Sequence, residues 1–182
     1  MENRIQIQAT PNPNALKFIL DVPVKNQGKA IFKSAEDCHH CPLARHLFTV
    51  PHVTELYFFG NFITVTQDGH EDWEILEEKI KKAILEKIAE HDANFDIGKQ
   101  EEKIPPATEK LSQVESILDQ TIRPALQGDG GDVQVVSFEN NVLTVHYQGA
   151  CGSCPSATMG TLKAIEAILK EEYDPNIVVQ AL

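Results

Sequence analysis

Apolar and polar residues alternate over the first part of the chain in a way that predicts strands. Residues 5–9 (Ile-Gln-Ile-Gln-Ala) have the alternation of a half-buried strand, and residues 15–20 predict a strand returning beside it after the Pro- and Asn-rich turn at residues 10–14. Residues 56–59 and 62–66, separated by Gly60-Asn61, predict a β-hairpin.

Helical spacing appears on both sides of that hairpin. Residues 42–48 predict a short helix, and apolar residues at every third or fourth position from Trp73 to Ile88 predict a longer one, with Asp68 and Glu71 as a possible capping pair. We therefore expect residues 1–97 to form a small α+β domain with a sheet backed by helices. Residues 98–107 are charged, contain two prolines and have no apolar period, so they predict a linker.

The second half of the chain predicts a unit of order α-β-β-α over residues 108–182. Its first helix has one apolar face and is expected to end or kink near Arg123, because Pro124 cannot continue it. Two strands follow, over residues 133–138 and 142–147, and a last helix carries Met159, Leu162 and Ile165 on one side. Residues 176–179 could add a short strand. The overall expectation is an α+β protein of two small domains.

The net charge of the chain makes some classes of binding partner unfavourable. The net charge is −11, with the acidic excess present in both halves of the chain, which disfavours binding to nucleic acid or to an anionic membrane. The sequence shows no targeting segment and no apolar run long enough to cross a membrane, so we expect a cytoplasmic protein. Four cysteines in a reducing compartment point to metal or redox chemistry rather than to structural disulfides.

Cys151 and Cys154 have the spacing that lets two sulfur atoms bind one metal or one edge of a cluster. They lie between a predicted strand and a predicted helix that begins with Pro155, where free N–H groups and the helix dipole stabilise thiolate. Such a pair suits iron clusters, zinc or copper(I). An all-cysteine cluster takes four thiolates, so either two chains share it or a second pair contributes. A thiol–disulfide oxidoreductase and a zinc-stabilised interaction module are the alternatives.

The residues around this pair resemble a known family. Residues 128–133 (Gly-Asp-Gly-Gly-Asp-Val) followed by residues 151–156 (Cys-Gly-Ser-Cys-Pro-Ser) are similar to the NifU C-terminal-type domain of Nfu iron–sulfur proteins, and residues 122–126 fit the same domain. Residues 10–18 resemble the opening of the Nfu N-terminal domain, which residues 62–66 and Trp73 also fit.

The resemblance implies a role for the whole chain. It implies a non-enzymatic scaffold or carrier whose Cys151 and Cys154 hold a [4Fe–4S] cluster bridging a homodimer. The cluster would come from the assembly machinery or be built on the protein, and would pass to apo iron–sulfur proteins. The first domain would then serve partner docking or modulation.

A second cysteine pair, Cys38 and Cys41, has the same spacing and also precedes a proline and a predicted helix. Two histidines lie between these cysteines and His46 is nearby, so a secondary metal or redox site is chemically feasible. The family usually has Ser-Pro-Leu-Ala in this region, so Cys41 replaces the serine and Cys38 is additional. An incidental role, with a small residue before the helix and solvated histidines, is the alternative.

Overall fold

The computed structural model describes residues 4–96, 109–152 and 155–182, without the side chains of residues 155–158. The chain divides into two compact units, Met1–Gln100 and Glu101–Leu182, in agreement with two domains. The predicted linker and the predicted limits at residues 97 and 108 lie outside the described residues. In the described part of the chain, no helix is long and apolar enough to cross a membrane.

The first unit is built on a five-stranded sheet in which every neighbouring pair of strands is antiparallel. Its strands are β1 (Ile5–Ala9), β2 (Ala15–Leu20), β3 (Lys25–Phe32), β4 (Val53–Gly60) and β5 (Phe62–Gln67). They are ordered β1-β2-β5-β4-β3 across the sheet. The predicted hairpin is β4–β5, and its turn uses Gly60 at a φ of 54°, a left-handed conformation that favours glycine.

Helices α1 (Pro42–Leu47) and α2 (Trp73–Lys87) supply the side chains that pack with this sheet. Every third or fourth residue of α2 is buried, as its spacing predicts: Leu76, Ile80 and Ile84 have no exposed surface. The Trp73 indole N–H donates to the Pro13 carbonyl oxygen over 2.8 Å, which joins the start of α2 to the turn between β1 and β2.

Two features of the first unit differ from the sequence expectations. Strand β3 was not predicted, because residues 25–29 are mostly polar and the strand is irregular between Lys25 and Lys29, with Gly28 at a φ of 65°. The expected cap from Asp68 and Glu71 is wrong: α2 begins after Asp72, and the Asp68 carboxylate instead bonds His52 and the His70 backbone.

The second unit combines helices with a three-stranded sheet. Its helices are α3 (Glu109–Ile117), α4 (Arg123–Gly128) and α5 (Pro155–Glu172), with a π-helical segment, Leu118–Ile122, joining α3 to α4. The sheet contains β6 (Gly131–Glu139), β7 (Val142–Gly149) and β8 (Val178–Ala181). The interruption before Pro124 was predicted. The final strand is present, and it pairs with β7 in parallel.

Side chains from these helices and one face of the sheet form the core of the second unit. Val133 and Val135 of β6 are buried on either side of Gln134, and the β6–β7 turn uses Asn140 and Asn141, both at positive φ, as a tight hairpin requires. On α5, Ile165 and Leu169 are fully buried, but Met159 is 65% exposed. The spacing placed Met159, Leu162 and Ile165 on one side of this helix, but Met159 does not share the burial of Ile165.

Candidate functional site

Cys151 lies in a glycine-rich loop between the end of β7 and the start of α5. Gly149, at a φ of 63°, turns the chain out of the strand, and the Gly152 N–H closes the turn by donating to the Gly149 carbonyl oxygen over 3.0 Å. The Cys151 side chain points into the unit, where it is 8% exposed and packs within the apolar core. The turn therefore seats one candidate ligand at the border between loop and core.

Gly131, the first residue of β6, lies directly against this cysteine. A Cβ atom at position 131 would lie 2.5 Å from the Cys151 Sγ, 2.8 Å from the Gln148 carbonyl oxygen and 2.9 Å from the Cys151 backbone nitrogen. These separations are shorter than any van der Waals contact, so position 131 accommodates only a glycine while Cys151 keeps its place. Gly131 acts as a cradle for the sulfur atom.

Backbone hydrogen bonds join the two glycine-rich segments. The Ala150 N–H donates to the Gly130 carbonyl oxygen over 3.2 Å, and Gly131 pairs with Gly149 in the β6–β7 ladder. Gly130 has a φ of 81°, so a side chain there would be strained. The Gly-Asp-Gly-Gly-Asp segment and the cysteine loop therefore lie side by side and are joined by backbone hydrogen bonds, although about 20 residues separate them in sequence.

Arg123 ties the helical segment to the start of β6. Its guanidinium contacts the carboxylates of Glu115, at 2.6 Å, and Asp119, and its Nε donates to the Val133 carbonyl oxygen over 3.3 Å. The carboxylate of Asp132, which is 3% exposed, lies 3.7 Å from the same Nε. Because residues 132 and 133 directly follow the Gly131 cradle, this network fixes the strand that carries it.

Tyr147 is the aromatic neighbour of this loop. Its side chain is 5% exposed and belongs to the same core cluster as Cys151. Its hydroxyl has no hydrogen-bond partner among the described residues. Burial raises the pKa of Tyr147 far above its usual range, and negative charge at Cys151 raises it further. The phenol therefore stays protonated and can act only as a neutral O–H donor or acceptor.

Cys154, the second predicted ligand, lies outside the described residues. The element that follows it is as predicted, because α5 begins at Pro155. The assignment of Cys151 and Cys154 as ligands stays a prediction.

The structure places Cys38 and Cys41 in the core of the first unit. Cys38 is the last residue of a short 3₁₀ turn, its Sγ donates to the Ser34 carbonyl oxygen over 3.3 Å, and Cys41 precedes Pro42 of α1. The two side chains are 1% and 0% exposed. Burial is the main cause that raises the pKa of Cys38 to about 12 and of Cys41 to about 11.

These thiols are protonated at neutral pH, whereas metal binding requires thiolate. The described residues contain no group of three or more His, Cys, Asp or Glu side chains arranged to hold a metal ion. A secondary metal or redox role for this pair stays a prediction that its surroundings do not favour.

Comparison with known proteins places the chain in a family. Residues 5–91 match the family model described as "Scaffold protein Nfu/NifU N terminal", and residues 114–180 match the model described as "NifU-like domain". The human protein named "NFU1 iron-sulfur cluster scaffold homolog, mitochondrial" is 35% identical over 181 residues, which are 95% of this chain and 69% of that protein. The chain belongs to the Nfu/NifU family.

Other relatives of this Nfu/NifU chain are similar over almost its whole length. The Arabidopsis thaliana protein named "NifU-like protein 4, mitochondrial" is 31% identical over 91% of the chain and 61% of that protein. The Drosophila persimilis protein of the same name as the human one is 33% identical over 95% of the chain and 62% of that protein. The chain thus spans about 60 to 70% of the length of these relatives.

Among solved structures, the solution NMR structure of a NifU-like protein from Saccharomyces cerevisiae matches 54% of this chain and 87% of its own chain. That match has 24% identity and a TM-score of 0.45.

Sequence reasoning missed three residues of the site in this Nfu/NifU chain. It assigned no role to Gly131 beyond a turn, none to Arg123 beyond the family motif, and none to Tyr147. A signal existed for Gly131, because two successive glycines followed by an apolar strand indicate close backbone approach. None existed for Tyr147, whose position in an alternating strand marks it simply as core.

Proposed function

We propose that this chain is an iron–sulfur cluster scaffold or carrier, with a [4Fe–4S] cluster as its cargo and Cys151 and Cys154 as the ligands from each protomer. The observation that carries the proposal is the Cys151 thiol, held against Gly131 in a loop at the entrance of α5, in a chain of the Nfu/NifU family. Relatives named as iron–sulfur cluster scaffolds support it. The role requires no turnover, so we propose a binding protein rather than an enzyme.

The number of available thiolates supports a cluster shared by two copies. An all-cysteine cluster takes four thiolates, and the loop of one chain supplies two. Cys38 and Cys41 are poor candidates for the other two, because burial holds their pKa values at about 12 and 11. A second copy related by a two-fold axis supplies the missing pair without any further ligand.

The exposed surface near the loop is consistent with such a dimer. Met159 lies in the second turn of α5, five residues after Cys154, and is 65% exposed. We propose that a second copy covers this side chain, which would remove its apolar surface from water.

Binding of the cluster requires the Cys151 side chain to move. The side chain is 8% exposed and packs in the core of its own unit, whereas a bridging cluster must also contact the second copy. We infer that the segment between Gly149 and Gly152 moves when the cluster binds. The free energy of the iron–sulfur bonds offsets the loss of this packing, and release of the cluster lets the thiol return to the core.

The recipients are apo iron–sulfur proteins, and the cluster assembly machinery is the proposed source. Exchange of cysteine thiolates between the carrier and a recipient is the simplest transfer step, because each iron keeps four ligands throughout. We propose that the first unit serves partner docking. The cytoplasmic location also stays a prediction, and fractionation of cells that express a tagged chain tests it.

Anaerobic reconstitution with iron and sulfide tests this function. We expect a brown dimer with about four irons per two chains, identified by Mössbauer and visible spectra and by a sizing run. Cys151→Ala should abolish the colour, and the matched variant Cys38→Ala should keep it.

A colourless monomer that reduces disulfides would instead support the oxidoreductase. Bound zinc, with loss of fold on chelation, would support the interaction module. Colour that depends equally on Cys38 would refute the shared cluster.

A further inference from the structure

A cavity of about 360 Å³ lies in the first unit, beside the irregular start of β3. Its interior is formed by two buried side chains, Lys25 and Phe95, which are 9% and 7% exposed. The exposed side chains of Gln27, Asn94 and Asp96 form its rim. None of these residues belongs to the proposed cluster site, and the proposed function gives them no role.

Hydrogen bonds hold the two walls of this cavity together. The Asn26 N–H donates to the Ala93 carbonyl oxygen over 2.9 Å, and the Asn26 side-chain amide donates to the Asn94 Oδ1 over 2.9 Å. The His91 ring N–H donates to the Val24 carbonyl oxygen over 2.7 Å. The start of β3 and the segment that follows α2 are therefore fixed against each other, and the cavity is formed before any ligand binds.

The Lys25 ammonium is a buried cation that has only neutral partners. Its Nζ donates to the Phe95 carbonyl oxygen over 2.7 Å and lies 4.5 Å from the centroid of the Phe95 ring. In the described part of the chain, no carboxylate forms an ion pair with it. An ammonium carries three N–H donors, and buried charges are normally paired with an opposite charge. The cavity is thus lined by a cation with donors to spare.

We propose that this cavity binds a carboxylate, with the Lys25 ammonium as the cation and the side-chain amides of Gln27 and Asn94 as further donors. The Asp96 carboxylate at the rim repels anions, so the site suits a single negative charge better than the two charges of phosphate. The Phe95 ring offers an apolar surface to the carbon atoms next to the carboxylate. The carboxylate can belong to a free small acid or to the C-terminus of a partner chain. This binding goes beyond the proposed function and does not depend on the cluster.

Titration of the ¹⁵N-labelled full-length chain with sodium acetate tests the site by NMR, at an ionic strength held constant with sodium chloride. We expect saturable shifts of the side-chain amide signals of Gln27 and Asn94. Lys25→Met keeps an unbranched side chain and removes the charge, so acetate should bind about tenfold more weakly or not at all. Lys33→Met is the matched control, because Lys33 is exposed and directly follows β3, and it should leave the binding unchanged.

Asp96→Asn keeps the test valid if Lys25→Met does not fold. It removes the negative charge at the rim with little change in size, so acetate should bind several-fold more tightly. An acetylated alanine tripeptide with a free C-terminus, compared with its C-terminal amide, distinguishes the two sources. Tighter binding of the free peptide than of acetate would identify a chain terminus as the ligand, and weaker binding would identify a small free acid.

Three results would overturn the inference. The first is a linear, unsaturated response to acetate, and the second is the same affinity in Lys25→Met as in the wild-type chain. The third is tighter binding of inorganic phosphate than of acetate, because the ligand class would then be wrong. None of these measurements involves iron or Cys151, so their failure and the failure of cluster reconstitution are independent results.

Discussion

Replacing Gly131 by alanine tests whether the Cys151 thiol is seated where the structure places it. The new Cβ would lie 2.5 Å from the Cys151 Sγ, 2.8 Å from the Gln148 carbonyl oxygen and 2.9 Å from the Cys151 nitrogen. Non-bonded heavy atoms normally rest about 3.5 to 4.0 Å apart. Each of the three neighbours would therefore have to withdraw by about 0.6 to 1.5 Å.

The size of the effect follows from which atoms must move. Overpacking of a core costs about 1 to 3 kcal/mol. Two of the three neighbours of Gly131 are backbone atoms, one in the β6–β7 ladder and one in the cysteine loop, so they cannot relax by changing a rotamer. We therefore expect a loss of about 3 kcal/mol in the stability of the second unit, together with displacement of the Cys151 side chain from the core.

Amide hydrogen exchange is the appropriate assay for this variant. The single tryptophan, Trp73, belongs to the first unit, so its fluorescence does not report on the second. A loss of about 3 kcal/mol predicts exchange roughly a hundredfold faster in the peptides of β6 and β7. Iodoacetamide should also label Cys151 faster, because the displaced thiol is more accessible.

Gly128→Ala is the matched control. Gly128 ends α4, a Cβ there would meet no atom within 4 Å, and alanine favours helix over glycine by up to about 1 kcal/mol. We expect exchange in this variant to be unchanged or slower. If Gly131→Ala behaved like Gly128→Ala in both assays, the packing of Cys151 against Gly131 would be refuted.

Three further predictions follow from other parts of the chain. Arg123→Met should destabilise the second unit by about 3 kcal/mol, because it leaves partly buried carboxylates without their cation. Arg123→Lys should restore only part of that stability, because lysine lacks the guanidinium geometry. Urea unfolding followed by circular dichroism measures both changes. His91 is hydrogen-bonded to the Val24 carbonyl oxygen over 2.7 Å, and burial lowers its pKa. The unfolded chain therefore binds a proton at His91 more readily than the folded chain does. Stability of the first unit should therefore fall as the pH drops below about 6.5, and His91→Gln should flatten that slope. Cys38 and Cys41 should resist alkylation at pH 8 in the native chain and label rapidly in urea, because burial raises both pKa values.

Each of these has a result that would contradict it. Full recovery by Arg123→Lys would mean that charge alone, without the guanidinium geometry, holds the start of β6. An equal slope in wild-type and His91→Gln chains would assign the acid sensitivity to another group. Rapid native labelling of Cys38 or Cys41 would show that the pair is accessible and would restore it as a candidate site.

The spacing of apolar residues predicted secondary structure correctly where one face of an element is buried and the other is in water. The α2 helix and the β4–β5 hairpin agree with their predictions, because in both the alternation of side chains reports burial directly. Strand β3 was not predicted because its first half is polar and irregular. Its formation depends on pairing with β4, which is a tertiary contact. Local sequence patterns also did not predict the parallel pairing of β7 with β8, because the two strands are about 30 residues apart.

Local sequence patterns were enough to predict the α+β class, the order of most elements, and the cysteine loop between a strand and a helix that begins with Pro155. These features are local, and each depends on residue spacing or on the conformational limits of glycine and proline. Which residues surround Cys151 depends on contacts between segments far apart in the chain. Gly131 lies against Cys151 through the pairing of β6 with β7, Tyr147 shares its core cluster, and Arg123 holds the start of the strand that carries Gly131. Packing in the core of the first unit likewise buries Cys38 and Cys41, which are 1% and 0% exposed, and their spacing in the sequence does not indicate this burial.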